Sequence, residues 1–390
     1  MSTALPTEAQ HGLSAHSHGA GVPVQTRSER FRSRNVSDFA SVTGREAEWK
    51  LSPVAQFRDL LDDSLDGTAL PVETELAEGV TVSTIPLDDS RITRAGLPED
   101  RASANALSSV AEATLVTVSS EDAGTSIVRR VGLGGQARAA HTVIEARPNA
   151  RGLVVLEGQG AARLSENVEI LVGEGADLTV VSLQNWDDEA VHLSSHFARI
   201  ARDAKLTHIV VSLGGRIVRV NPSSHLAEPG ADVESLGLYF SDAGQHLEQQ
   251  VFVHHDAPHT KSRVTYKGAL QGEGARSVWI GDVLIGRDAT GTDSYEQNRN
   301  LVLTDGTRAD SIPNLEIETG DIEGAGHASA TGRFDDEQLF YLQARGIEED
   351  EARRLVVRGF LNEIVQRIPD EALQERLGAA LEAELQGVRS

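Results

Sequence analysis

One histidine stands where two sequence patterns meet. His327, in Gly324-Ala325-Gly326-His327-Ala328-Ser329-Ala330-Thr331-Gly332, follows strand-like alternation and precedes helical spacing. A neutral imidazole can bind a metal through one ring nitrogen while the other donates to a nearby acceptor. Glu316, Glu318, Asp321 and Glu323, just upstream, are candidate neighbours for it. On the residues alone, the simpler account is a hydrogen-bonded structural histidine at a strand-to-helix corner. The chain contains no cysteine, so thiolate zinc sites, cysteine nucleophiles and clusters held on its own sulfur are all excluded.

Other groupings invite a chemical reading and fail it. His254, His255 and His259 surround Asp256 in VFVHHDAPHTKS, yet neighbours on a strand point to opposite faces, so His254 and His255 do not readily share one ion. Strand and turn scaffolding is the expectation there. His11, His16 and His18 are loosely spaced in a Ser-, Gly- and Ala-rich segment and read as part of a solvated tail, since zinc ligands normally sit on a fixed framework. Gly132-Leu133-Gly134-Gly135-Gln136 and Gly158-Gln159-Gly160 neither open a helix after a strand nor carry the Lys-Ser/Thr of a phosphate loop. They read as corners. The sequence has no GxxxxGK[ST] and no Gly-x-Ser-x-Gly elbow, so neither a P-loop ATPase nor a serine hydrolase of that type is expected.

Bulk properties narrow the classes further. A net charge of −23 over 390 residues repels nucleic-acid backbones and anionic lipid surfaces, and no Lys/Arg run offsets it. No apolar stretch approaches the roughly 20 residues that a membrane-spanning helix needs. The N-terminus lacks a basic segment followed by an apolar one. The expectation is a cytoplasmic protein with no nucleic-acid or membrane partner.

The elements that must position these residues fall into four parts: a flexible tail over 1–30, a mixed, partly helical region over 31–100, a β core over 101–332 and a helical domain over 333–390. In the second part Ser52-Pro53 reads as a helix start, after which Val54, Phe57, Leu60 and Leu61 share a face. The core is built of short β-branched runs such as Leu115–Val118, Leu153–Leu156, Leu178–Val181, His208–Val211 and Val278–Ile280. No twelve-residue amphipathic helix separates them, which argues against βαβ units.

A turn recurs before these runs. Asn149-Ala150-Arg151, Gly175-Ala176-Asp177, Asp203-Ala204-Lys205 and Gly230-Ala231-Asp232 space their alanines by 26, 28 and 27 residues. It returns less evenly at Gly274-Ala275-Arg276 and Arg308-Ala309-Asp310. Strands and tight turns at this period predict stacked β rungs, with a β-sandwich as the competitor. In the last part a helix opens at Asp335-Asp336 and stops at Gly346. A second carries Val357, Leu361, Ile364 and Ile368 on one face and ends at Pro369, and a third carries Leu373, Leu377, Leu381 and Leu385. These helices are expected to cap the open end of the stack.

The stretch PNLEIETGDIEGAGHASATGRFDDEQLFYLQARGI resembles the C-terminal signature of the SufB/SufD family, scaffold subunits of the SUF iron–sulfur cluster assembly machine. Further likeness lies in Arg45–Lys50 with its Trp49, in His255, Pro258, Thr260 and Ser262, and in Thr292–Leu303, so that the resemblance runs from roughly Arg45 to Ile368. It implies a mainly β protein whose core is a right-handed parallel β-helix with α-helical segments at both ends. It implies a non-catalytic subunit of an assembly complex, paired with SufB through the β-helix and docking the SufC ATPase through the C-terminal helices, where Phe340, Tyr341, Arg345 and Phe360 are the docking candidates. A homodimer in isolation also fits.

At the site, the resemblance makes His327 a candidate iron ligand facing the partner's cysteine. The iron–sulfur cluster would be transient, shared with SufB and not bound by the isolated chain. Where many members have Cys-Ser-His or Cys-Thr-His, this chain has Ala325-Gly326-His327 with one apparent extra residue, which makes it more like SufD than SufB. The rivals are a carbohydrate-active β-helix enzyme, which needs carboxylates along a groove, and a structural homodimeric β protein.

Overall fold

The computed structural model describes residues 27, 30–62, 64–333 and 336–386. Apart from Arg27 and Arg30, the expected tail with His11, His16 and His18 lies outside them. The chain coils as a flattened solenoid of about eight turns, each contributing one strand to each of two nine-stranded sheets. One sheet holds β2 (Val80–Pro86), β3 (Glu112–Val118), β5 (Ala137–Ala146), β7 (Arg163–Val172), β9 (Val191–Ile200), β11 (Ile217–Leu226), β13 (His246–His255), β15 (Arg276–Ile285) and β17 (Arg308–Ile317). The facing sheet holds β1 (Val72–Glu75), β4 (Thr125–Val131), β6 (Arg151–Gly160), β8 (Asp177–Trp186), β10 (Lys205–Ser212), β12 (Asp232–Ser241), β14 (Lys261–Leu270), β16 (Thr292–Val302) and β18 (Ile322–Arg333). The pairing is parallel throughout, except that β1 and β2 run antiparallel to β4 and β3 and finish the N-terminal end. The sandwich alternative is thereby set aside.

The recurring turn has a backbone cause. Asn149, Gly175, Asp203 and Gly230 take φ of 60°, 64°, 52° and 75°, a left-handed conformation that Gly, Asn and Asp adopt at least cost. Each is followed by an alanine exposed by 1% or less, Ala150, Ala176, Ala204 and Ala231, which fits the tight corner where a new strand begins. The amides of Asn149 and Gly175 donate to the carbonyls of Glu174 and Arg202 one rung on, so each corner is tied to the next. The series continues at His259 (φ 56°) and Gly291 (φ 67°). The two uneven matches, at Gly274 and Arg308, are a correction: they open β15 and β17 and so lie at the opposite corner of the rung. Their irregular spacing follows from mixing two series.

Both sheets are covered outside as well as in, which is why their strands read as apolar runs. Outside the first sheet lie short 3₁₀ turns, α1 (Arg58–Asp62) and α2 (Arg101–Ser109), with Phe57, Leu60, Leu61 and Ala106 packed on Leu193 and Ile217. The continuous helix expected after Pro53 is instead a 3₁₀ turn, Val54–Gln56, followed by α1, although all four of its apolar residues are buried. Helix α2, absent from the sequence reading, starts at a capping box between Asp100 and Ser103.

The C-terminal helices are α3 (Asp336–Gln343), α4 (Glu349–Val365) and α5 (Glu371–Gln386). They do not cap the stack. Val357, Leu361, Ile364, Ile368, Leu373, Leu377, Leu381 and Leu385 pack along the outer face of the second sheet, on Leu153, Val155, Val181, Leu183, Ile209, Leu236 and Phe240. Burial scales with apolar area, at roughly 1.5–3 kcal/mol per large side chain, and a stripe crossing several rungs offers more of it than one open end. Among the described residues nothing pairs with the outer edges of β17 and β18. Among the described residues no helix is long and apolar enough to cross a membrane.

Candidate functional site

His327 lies on β18, the last strand of its sheet. Ser294, Glu296, Asn298 and Asn300 of β16 pair in register with Ala325, His327, Ser329 and Thr331. Residues paired across parallel strands point to the same side of the sheet. The four β16 residues are buried inside the solenoid, so His327 belongs to the inward file. It is nevertheless exposed, because among the described residues no further rung stacks on β18.

A β-bulge keeps it on that side. Thr292 pairs with Ile322 while Asp293 pairs with Gly324, so Glu323 is left over. Ile322 and Ala325, three positions apart, both pack against the interior cluster. Regular alternation from Ile322 would have sent His327 to the outer face, since a one-residue shift reverses every side chain. The extra residue noted ahead of His327 is absorbed in this way.

One rung below, Glu296 is 1% exposed and neither carboxylate oxygen has a hydrogen-bond partner. Its neighbours in the same file are satisfied. Ser294 bonds Ser262 at 2.8 Å, Asn298 donates to the Tyr239 hydroxyl at 2.9 Å, and Asn300 donates to Ser311 at 3.0 Å and Thr331 at 3.3 Å. Burial, reinforced by the nearby Asp282 carboxylate, raises the Glu296 carboxyl to about 8. Across the lumen, Gly281 makes room for it: a β-carbon there would sit 2.4 Å from Glu296 Oε2 and 2.3 Å from the Trp279 ring.

The acidic neighbours suggested by the sequence lie elsewhere. Glu318 is 3.9 Å from the Arg287 guanidinium, Glu323 sits at the bulge, and Glu316 pairs with Leu284 on the outward file of β17. Asp321 accepts the Gly291 amide through its carbonyl. Glu296, which the sequence reading did not select, is the acid in register with His327. Only the rung period would have pointed to it, within Thr292–Leu303.

His254 and His255 do face opposite ways. His255 is buried and bonds Thr260 and Ser262 at 2.7 and 2.9 Å, while His254 stacks on His225 with ring centroids 5.1 Å apart. His259 is the left-handed corner residue. Among the described residues no three His, Asp or Glu side chains are grouped to hold a metal. At the docking candidates, Phe340 and Tyr341 are 72% and 55% exposed, and Arg345 lies 4.3 Å over the Tyr341 ring. Phe360 is half-buried beneath Lys267. Phe340 and Tyr341 lie on α3, Arg345 in the turn that follows it and Phe360 on α4.

Residues 129–360 match the family model described as "SUF system FeS cluster assembly, SufBD core domain". The chain is 47% identical over 388 residues to Iron-sulfur cluster assembly SufBD family protein Rv1462 of Mycobacterium tuberculosis, covering 96% of each chain. It is 45% identical over 378 residues to the SufBD family protein ML0594 of Mycobacterium leprae, covering 94% of this chain and 96% of that one. A second M. tuberculosis member, Rv1461, is 30% identical over 220 residues, 56% of this chain and 26% of its own length.

Proposed function

The chain belongs to the SufBD family of iron–sulfur cluster assembly proteins, and from that footing we propose that it is the SufD-like scaffold subunit of the assembly complex. It pairs end to end with a cysteine-bearing SufB-type subunit, docks a SufC-type ATPase on its C-terminal helices, and presents His327 where iron and sulfide are brought together. The cluster is cargo, transient and shared with the partner. The observation that carries this reading is an exposed imidazole on the terminal, uncovered rung of a chain that has no cysteine.

The end-to-end pairing is favoured by the two free strand edges. Unpaired N–H and C=O groups on β17 and β18 are a template for another chain's strands, and the same edges would serve a homodimer in isolation. The SufD-like assignment is favoured by the absent thiolate and by the M. tuberculosis pair, where this chain matches one family protein over 96% of each chain and the other over 220 residues only. Sulfur chemistry then falls to the partner's cysteine. His327 contributes a nitrogen ligand. ATP hydrolysis belongs to the docked ATPase and acts here as a conformational drive, for which Phe340, Tyr341 and Arg345 supply the contact surface and Phe360 seats α4.

The test is His327→Ala in the complex reconstituted with both partners. The fold and partner retention should persist while cluster yield, read by visible absorption, falls; an unchanged yield rejects the role of His327.

A further inference from the structure

We propose that Glu296 is a second ligand group of this site, holding a divalent iron ion together with His327 at the open end of the solenoid. The inference rests on the reading of His327 as an iron-facing residue and adds a partner for it from the same chain.

An unpaired buried carboxyl is costly, by about 1–3 kcal/mol or more, and a group with both oxygens unpartnered calls for an explanation. The neighbours of Glu296 on β16 all find partners, and Glu296 alone in that inward file does not. Apolar packing is available at this level, where Trp279 and Val283 line the lumen, so a Met or Leu would fill the place. The carboxyl is instead accommodated by Gly281, whose missing β-carbon leaves the space it occupies.

Register supplies the second observation. Glu296 and His327 are paired residues on adjacent parallel strands, hence about 4.8 Å apart at the backbone with side chains on one side. Metal–ligand bonds to imidazole nitrogen and carboxylate oxygen are about 2.0–2.2 Å, so one ion between the two groups is within reach of both. No hydrogen bond holds the carboxyl beside Gly281, so binding an ion beside the ring would break none. Imidazole and carboxylate together suit ferrous iron and its close analogues. Two ligands from this chain leave the remaining positions open for the partner's thiolate and sulfide. The isolated chain would therefore hold an ion, weakly, and not a cluster.

The experiment is titration of the full-length isolated chain with Co²⁺ as the spectroscopic probe, followed by Fe²⁺ under anaerobic conditions, by absorption and calorimetry. The comparison is wild type against Glu296→Gln, Glu296→Met and His327→Ala. One ion per chain is expected, weakened about 10- to 100-fold in each single variant. Glu296→Met should show that weakening while melting no lower than wild type, which a merely structural role would not produce. Binding lost in His327→Ala but intact in both Glu296 variants overturns this inference and leaves the reading of His327 standing. A wild-type chain that takes up no ion overturns the inference too, and the reading of His327 is then judged by cluster yield in the reconstituted complex.

Discussion

The ammonium of Lys267 lies 4.6 Å above the ring of Phe360 and donates to the carbonyl of the same residue at 3.2 Å. A third contact, to Glu363 at 2.5 Å, completes the clasp. Lys267 belongs to β14 of the inner stack and Phe360 to α4, so this is a point where the helical domain is fastened to the solenoid. Lys267→Ala should cost about 1–3 kcal/mol, the worth of a partly desolvated cation–π contact and charged hydrogen bonds. Hydrogen exchange should report faster amides in α4 and α5 with β16 and β18 unchanged; uniform loss of protection would show that the helices and the stack unfold as one.

Phe340 and Tyr341 offer the opposite case. Both are more than half exposed, so the double change Phe340→Ala/Tyr341→Ala should alter stability by no more than about 0.5 kcal/mol. Retention of the ATPase in a pull-down should drop sharply if this surface docks it. Full retention would move the docking surface elsewhere.

The bulge at Glu323 gives a test by deletion. Removing Glu323 leaves regular alternation from Ile322 and keeps His327 on the inward file, so cluster yield should stay near wild type. Removing both Glu323 and Gly326 turns His327 outward, and yield should fall as far as in His327→Ala. Equal yields from the two deletions would disprove the assigned face.

Buried His255 makes stability pH-dependent in a definite direction. Burial, with a smaller contribution from His254, pushes its imidazole down to about 3 from an ordinary 6.5. The unfolded chain therefore takes up this proton first as pH falls, so the stabilisation is complete above about pH 6.5 and is lost on acidification toward 3. Between pH 6 and 4 the denaturant-derived stability of His255→Gln, whose amide can still meet Thr260 and Ser262, should fall less steeply than wild type. The difference in slope is at most about 1.4 kcal/mol per pH unit, and parallel slopes would contradict neutral burial.

Much of this molecule was legible because its determinants are local. The φ > 0 residue followed by alanine wrote the period of the stack into Asn149, Gly175, Asp203 and Gly230, and the four-residue spacing of Leu373, Leu377, Leu381 and Leu385 wrote the buried face of α5. Opposite orientation of His254 and His255 follows from strand geometry alone. The corner at His259 was hidden, since histidine is an unusual occupant of a left-handed turn. The change of pattern marked His327, and only the resemblance gave it a role beyond that of a structural corner.

What the sequence by itself determined was the repeating unit, the helical faces and the impossibility of thiolate chemistry, all of which follow from residue type and short-range geometry. Tertiary structure alone decided that α4 and α5 cover a sheet face and leave the last rung open, because that choice compares apolar areas assembled from strands far apart in the chain. It alone also set Glu296 beneath His327: which acid meets which imidazole depends on rung register and on a single bulged residue, and neither is encoded in the neighbourhood of either side chain.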